Sequence, residues 1–124
     1  MNKFVLREKS FNFALRCIKL YKYLCDRKKE FVLSKQILRS GTAVGALIIE
    51  GKQAESKADF VHKYAIALKE CNETIYWIEL LFRSDYISEL QYESILNDPN
   101  QLNKMLSSSI ITAKRTMKLT TNRQ

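Results

Sequence analysis

The sequence is poor in the residues that break, staple or metallate a chain. Its 124 residues include three glycines and one proline, too few to punctuate a β-rich fold with turns. No stretch alternates β-branched and polar residues over the length of a strand. The three cysteines, Cys17, Cys25 and Cys71, are odd in number and have no C-x-x-C spacing, so neither a disulfide framework nor a structural zinc site is indicated. On one helix Cys17 and Cys25 would stand roughly 12 Å apart, beyond the reach of a bridge. Reduced thiols packed as small apolar groups are expected.

His62 is the only histidine, and no glutamate stands three residues before it. A di-metal carboxylate bundle needs two Glu-x-x-His units on facing helices, so that chemistry is unavailable, and His62 reads as a surface residue. There is no phosphate-binding glycine loop and no nucleophile with a companion base. The longest apolar run near the start, Phe4-Val5-Leu6, ends at Arg7, too soon for a signal-peptide core or a membrane span. A cytoplasmic protein without membrane contact, catalytic residues, metal or cofactor is the expectation.

What the sequence does contain is helix-forming apolar periodicity, with 46% of residues hydrophobic, enough to build one core in one domain spanning 1–124. Ser10 reads as the N-cap of a first helix over about 10–26, whose apolar side chains cover about half its circumference, more than one seam needs. A second helix over about 31–54 carries a seam at Ile37, Gly41, Val44, Ile48 and Gly51. Its Gly41 and Gly45 each cost up to about 1 kcal/mol relative to Ala. Close approach of a neighbouring helix along Ser40, Gly41, Gly45 and Ala46 would compensate, while Gly51 suggests a bend or C-cap. Ser56 and Asp59 resemble a capping box opening a third helix over 57–84, where Val61, Tyr64, Leu68, Cys71, Ile75, Ile78 and Phe82 step by three and four through three heptads. A second capping box, Ser88 with Gln91, opens a fourth helix over about 88–119. Within it Pro99 implies a kink or a fresh start capped by Asp98. Short connections between four such helices specify an all-α, antiparallel up-down-up-down four-helix bundle.

Polar groups suggest two features. Glu50, Glu70 and Glu73 are placed near the core, with Arg39 as an ion-pair partner for one of them, a structural contact in preference to acid–base chemistry. The charge of +8 is also unevenly spread. Residues 1–30 carry nine basic and three acidic side chains, residues 31–98 seven and ten, and residues 99–124 five and none. On the first helix Lys9, Arg16, Lys19 and Lys22 share an arc with Tyr23, and on the fourth Lys104, Lys114, Arg115 and Lys118 share another. First and last helices are adjacent in a four-helix ring, so the stripes can merge into one basic face. Such a face attracts a phosphate backbone without reading bases, and Tyr23 can stack on an unpaired base. The alternative is an ordinary solvated surface.

Leu38-Arg39-Ser40-Gly41-Thr42, Val44-Gly45-Ala46, Glu50-Gly51, Asp59-Phe60, Ala65-Ile66-Ala67-Leu68-Lys69-Glu70, Glu73 and Trp77-Ile78-Glu79-Leu80-Leu81 together resemble one family. It comprises the four-helix-bundle proteins encoded by intervening sequences in bacterial 23S ribosomal RNA genes, themselves similar to the accessory variability determinant of diversity-generating retroelements. The resemblance covers about residues 10–118. It implies a homopentameric ring with a positive surface and RNA or nucleoprotein partners, and it carries over no catalytic residues. Leu47, where the family often has Asn, and Pro99, in a stretch usually kept helical, depart from the pattern. A non-enzymatic, homo-oligomeric scaffold binding RNA or a nucleic-acid-bound protein is the leading expectation. A protein-interaction module without nucleic-acid contact, using the surplus apolar arc of the first helix and residues such as Ile111, is the rival.

Overall fold

In the computed structural model, which describes residues 3–122, four helices follow in order: α1 (Lys3–Lys28), α2 (Leu33–Lys52), α3 (Lys57–Arg83) and α4 (Glu89–Asn122). The expected all-α bundle is present. Each consecutive pair runs antiparallel, as the descending partner numbers show. Ser10, Cys17 and Cys25 of α1 meet Gly45, Gly41 and Ser34 of α2, and Ser40 and Gly51 of α2 meet Thr74 and Tyr64 of α3. Cys71 and Phe82 of α3 meet Pro99 and Tyr92 of α4. Lys9 and Arg16 of α1 close the ring onto Gln101 and Asp98 of α4. The core runs down the centre through Phe13, Leu24, Ile37, Ile48, Ile78, Leu81, Leu102 and Leu106.

Two starts differ from the sequence reading. Helix α1 does not begin at Ser10, whose buried hydroxyl donates to the Arg7 carbonyl at 2.9 Å from within the helix. Burying Leu6 makes the earlier turn worthwhile. Helix α2 is capped from the preceding turn, where Lys29 takes φ 53°. The Glu30 carboxylate accepts from the amides of Val32, Leu33 and Ser34 at 3.2, 3.0 and 2.8 Å. Burial alone would raise this carboxyl, but those amides and the Ser34 hydroxyl outweigh it and hold its pKa below the ordinary value. The other two starts follow the sequence. Ser56 accepts from the Asp59 amide at 3.0 Å, and Ser88 and Gln91 cap reciprocally at 3.1 and 2.8 Å.

Helix α4 runs through Pro99 without a fresh start. The ring of Pro99 is fully buried, and its carbonyl accepts from the Cys71 thiol at 3.2 Å. The fully buried seam of α3 is Tyr64, Ala67, Cys71, Thr74, Ile78 and Leu81; Val61, Leu68, Ile75 and Phe82 are half-buried at its edges. Small residues take the closest approach to α2, where Thr74 donates to Ser40 Oγ at 2.7 Å and Ser40 donates to the Gln36 carbonyl at 2.9 Å. A Cβ on Gly41 would stand 3.0 Å from Cys17 Cβ and closer still to its sulfur, so the glycine is required by helix contact. Gly51 plays the same part, because a Cβ there would come within 2.8 Å of the Tyr64 ring; it neither bends nor caps α2. Ala46 is exposed and outside this contact.

Candidate nucleic-acid interface

The cations singled out by the sequence lie on α1 and α4, and the seam between these two helices decides what each can do. Arg16 crosses it in the turn ahead of Pro99. Its guanidinium donates to Asp98 Oδ2 at 3.0 Å, the Ser94 carbonyl at 3.1 Å and Ser94 Oγ at 2.9 Å. Lys9 donates across the same seam to Gln101 Oε1 at 2.7 Å. Both therefore clasp the bundle rather than standing free for a partner. Lys19 and half-buried Tyr23 continue past the clasp along a shallow groove floored by Leu20, Ile87 and Ile95. Lys22 is exposed, but at 100° per residue it turns away toward the α2 side of α1.

The α4 cations Lys104, Lys114, Arg115 and Lys118 are all exposed, and none has an ion-pair or hydrogen-bond partner among the described residues. Because Lys9 is level with Gln101 and the helices are antiparallel, Lys104 stands near the start of α1. At 1.5 Å per residue Lys114 and Lys118 lie roughly 10 Å or more beyond it. The two stripes are thus offset along the axis and do not lie side by side as one broad face: they form a long column that Lys104 and Arg115 continue, while Lys114 turns to the α3 flank beside Asn103, which meets Asn72 of α3. The α1 half of the column is tempered by Asp98 and by Glu89 and Glu93, exposed on α4. The α4 half is not, since residues 99–124 include no acid.

The acidic groups behave as structural partners. Arg39 binds Glu70 at 3.2 Å and also Glu73, and Glu73 accepts from Trp77 Nε1 at 3.0 Å. Glu50 is exposed and pairs with Lys63 at 3.4 Å. His62 is exposed, and among the described residues no cluster of His, Cys, Asp or Glu could hold a metal ion. The three cysteines are free thiols, and burial pushes Cys17 and Cys71 up to about 12. No helix of the described residues is long and apolar enough to cross a membrane.

Sequence reasoning located the apolar surplus of α1 but not its continuation. Phe11 and Leu15 are exposed on α1, and Ile49 and Ala46 are exposed on α2.

These features define a small basic protein of the antiparallel four-helix bundle class. The model of the 23S rRNA-intervening sequence protein family matches residues 2–108, and the chain belongs to that family. It is similar to the crystal structure of a protein of unknown function from the S23 ribosomal protein family of Bacteroides thetaiotaomicron VPI-5482. The two share 57% identity and superpose with a TM-score of 0.87, over 89% of this chain and 98% of that one. A search of curated proteins gives no match.

Proposed function

We propose that the protein is a non-catalytic, self-assembling cytoplasmic scaffold that holds RNA, or a protein carrying nucleic acid, on the basic column of α1 and α4. The observation that carries this reading is the state of the α4 cations: four exposed charges without partners among the described residues, in a segment free of acid. Cations spaced along one helix neutralise phosphates without reading bases, so the binding is salt-dependent and indifferent to sequence. The family description points the same way, and so does the exposed apolar flank of α1 and α2, which suits contact between copies, as in the homopentamer that the family resemblance implies.

Fluorescence anisotropy with structured RNA, single-stranded RNA and duplex DNA across a salt series tests the proposal. Affinity is expected to fall linearly in log salt. Each of Lys19→Glu, Lys104→Glu, Arg115→Glu and Lys118→Glu should weaken all sequences alike and lower the slope by about one. Arg16 is unsuitable for this purpose, because a carboxylate there would face Asp98 and loosen the bundle itself. Absence of binding at low salt would overturn the reading. It would favour a protein partner on the α1–α4 groove, where Leu90 is 79% exposed; capture of one stoichiometric protein from nuclease-treated lysate would show it.

A further inference from the structure

At the end of the bundle away from the α1–α2 turn, a cleft of about 540 Å³ opens between the α2–α3 turn and the C-terminal half of α4. Its volume falls in the range of small-ligand pockets. Its floor is Tyr64, only 3% exposed. The phenol Oη has no hydrogen-bond partner among the described residues, yet no side-chain oxygen or nitrogen there is sealed away without one. The hydroxyl therefore keeps contact with solvent, and Tyr64 is one of the residues lining the cleft. Gly51 makes this possible, since a side chain there would strike the ring. Burial raises the Tyr64 pKa, which keeps the phenol a neutral donor.

Four further hydroxyls line the α4 wall, those of Ser108, Ser109, Thr112 and Thr116. Ser40, Thr42, Ser84, Thr116 and Thr120 each donate back to a carbonyl one turn earlier. Ser108, Ser109 and Thr112 face the cleft and make no such bond. Opposite them is Phe60, tilted at 35° on Tyr64 with ring centroids 4.1 Å apart. At the rim stand Lys52, Glu55 and Lys57, the last at the start of α3, where Ser56 takes the Asp59 amide and those of Lys57 and Ala58 lack helical partners.

We propose that this cleft binds one nucleotide, either free or as an unpaired residue of a strand. The base lies against Phe60 with its edge on Tyr64 Oη and the α4 hydroxyls. A ribose hydroxyl donates to Glu55, and the phosphate meets Lys57 and the α3 amides. Flat apolar wall, neutral donors, one carboxylate and two cations match the parts of a nucleotide in that order. The proposal deepens the nucleic-acid reading above and rests on it for its choice of ligand.

Calorimetric titration of the full chain with uridine and adenosine monophosphates, inorganic phosphate and a five-residue RNA tests it. Binding of the mononucleotides is expected, weakened about five- to tenfold in Tyr64→Phe, which keeps the ring and loses one hydrogen bond. Ser108→Trp, which fills the cleft from an exposed position, should abolish it, with unchanged thermal unfolding confirming the fold. Equal loss of the short RNA in both variants identifies a residue within a strand; loss of the mononucleotide alone identifies a free ligand. Inorganic phosphate binding as tightly as the nucleotides would overturn the role of the base. No mononucleotide binding at millimolar concentration, or binding unchanged in Ser108→Trp, would overturn the site. The two readings fail separately. Salt-dependent RNA binding that survives Ser108→Trp without any mononucleotide binding removes the cleft alone, and mononucleotide binding without RNA binding to the basic column removes the scaffold alone.

Discussion

Glu30 shows how one side chain can set a helix start that local propensity rules overlook. It caps α2 from a turn three residues upstream of Leu33, whereas the rule that finds Ser56 and Ser88 offers no Ser, Thr, Asp or Asn just before α2 and puts the start of α1 at Ser10, which is buried inside that helix. Because the Glu30 pKa is lowered in the fold, its contribution is complete above the ordinary glutamate range near pH ~4.3 and is lost as pH falls through the folded value. Glu30→Ala is expected to lower stability by about 1 kcal/mol at neutral pH and to flatten the acid limb of a denaturation series. Gly41 presents the opposite situation, legible from sequence as a cost that something must offset. Gly41→Ala should destabilise by about 1–3 kcal/mol in a urea melt, because its methyl meets the Cys17 sulfur. Cys17→Ala in the same chain should restore part of the loss.

At the scale of elements, the capping boxes of α3 and α4 were legible because each is a local pattern, complete within four residues. Pro99 was not, since its tolerance depends on partners distant in sequence. Burial of the ring and the Cys71 thiol on its carbonyl come from α3, while Arg16 reaches from α1 to the carbonyl of Ser94 in the preceding turn. The α3 seam was read one flank off for a related reason: large apolar residues mark a stripe in sequence, but α2 presents glycine and serine, and only Ala67 and Thr74 fit against them. The clasp itself is measurable. A double-mutant cycle on Arg16→Met and Asp98→Asn should return a coupling of about 0.2–1 kcal/mol that shrinks with salt, as befits a partly exposed pair.

For the whole molecule, the bundle, its antiparallel order and the adjacency of α1 and α4 followed from periodicity and short connections. The relative height of the two basic stripes did not, since axial register is fixed by Lys9 against Gln101 and Arg16 against Asp98, pairs 92 and 82 positions apart. The cleft beneath Tyr64 escaped notice because scattered serines and threonines carry no pattern until α2 and α3 bring a ring beneath them. The apolar flank of α1 predicts behaviour beyond the single chain. Leu15→Glu, on a residue 44% exposed, is expected to leave the helical content intact and to reduce the mass found by light scattering to that of a monomer.

The contact between α1 and α4 is the thinnest in the ring, and that between α2 and α3 the most extensive. Unfolding should therefore begin as an unzipping. In native-state hydrogen exchange the amides of the α2–α3 hairpin should outlast those of α1, whose outward swing from α4 breaks the thinnest contact in the ring together with the Arg16 and Lys9 bonds. Salt should leave that order unchanged, because it weakens the Arg16–Asp98 pair and also the Arg39 and Lys63 pairs across the hairpin, while the apolar contact that sets the order is unaffected.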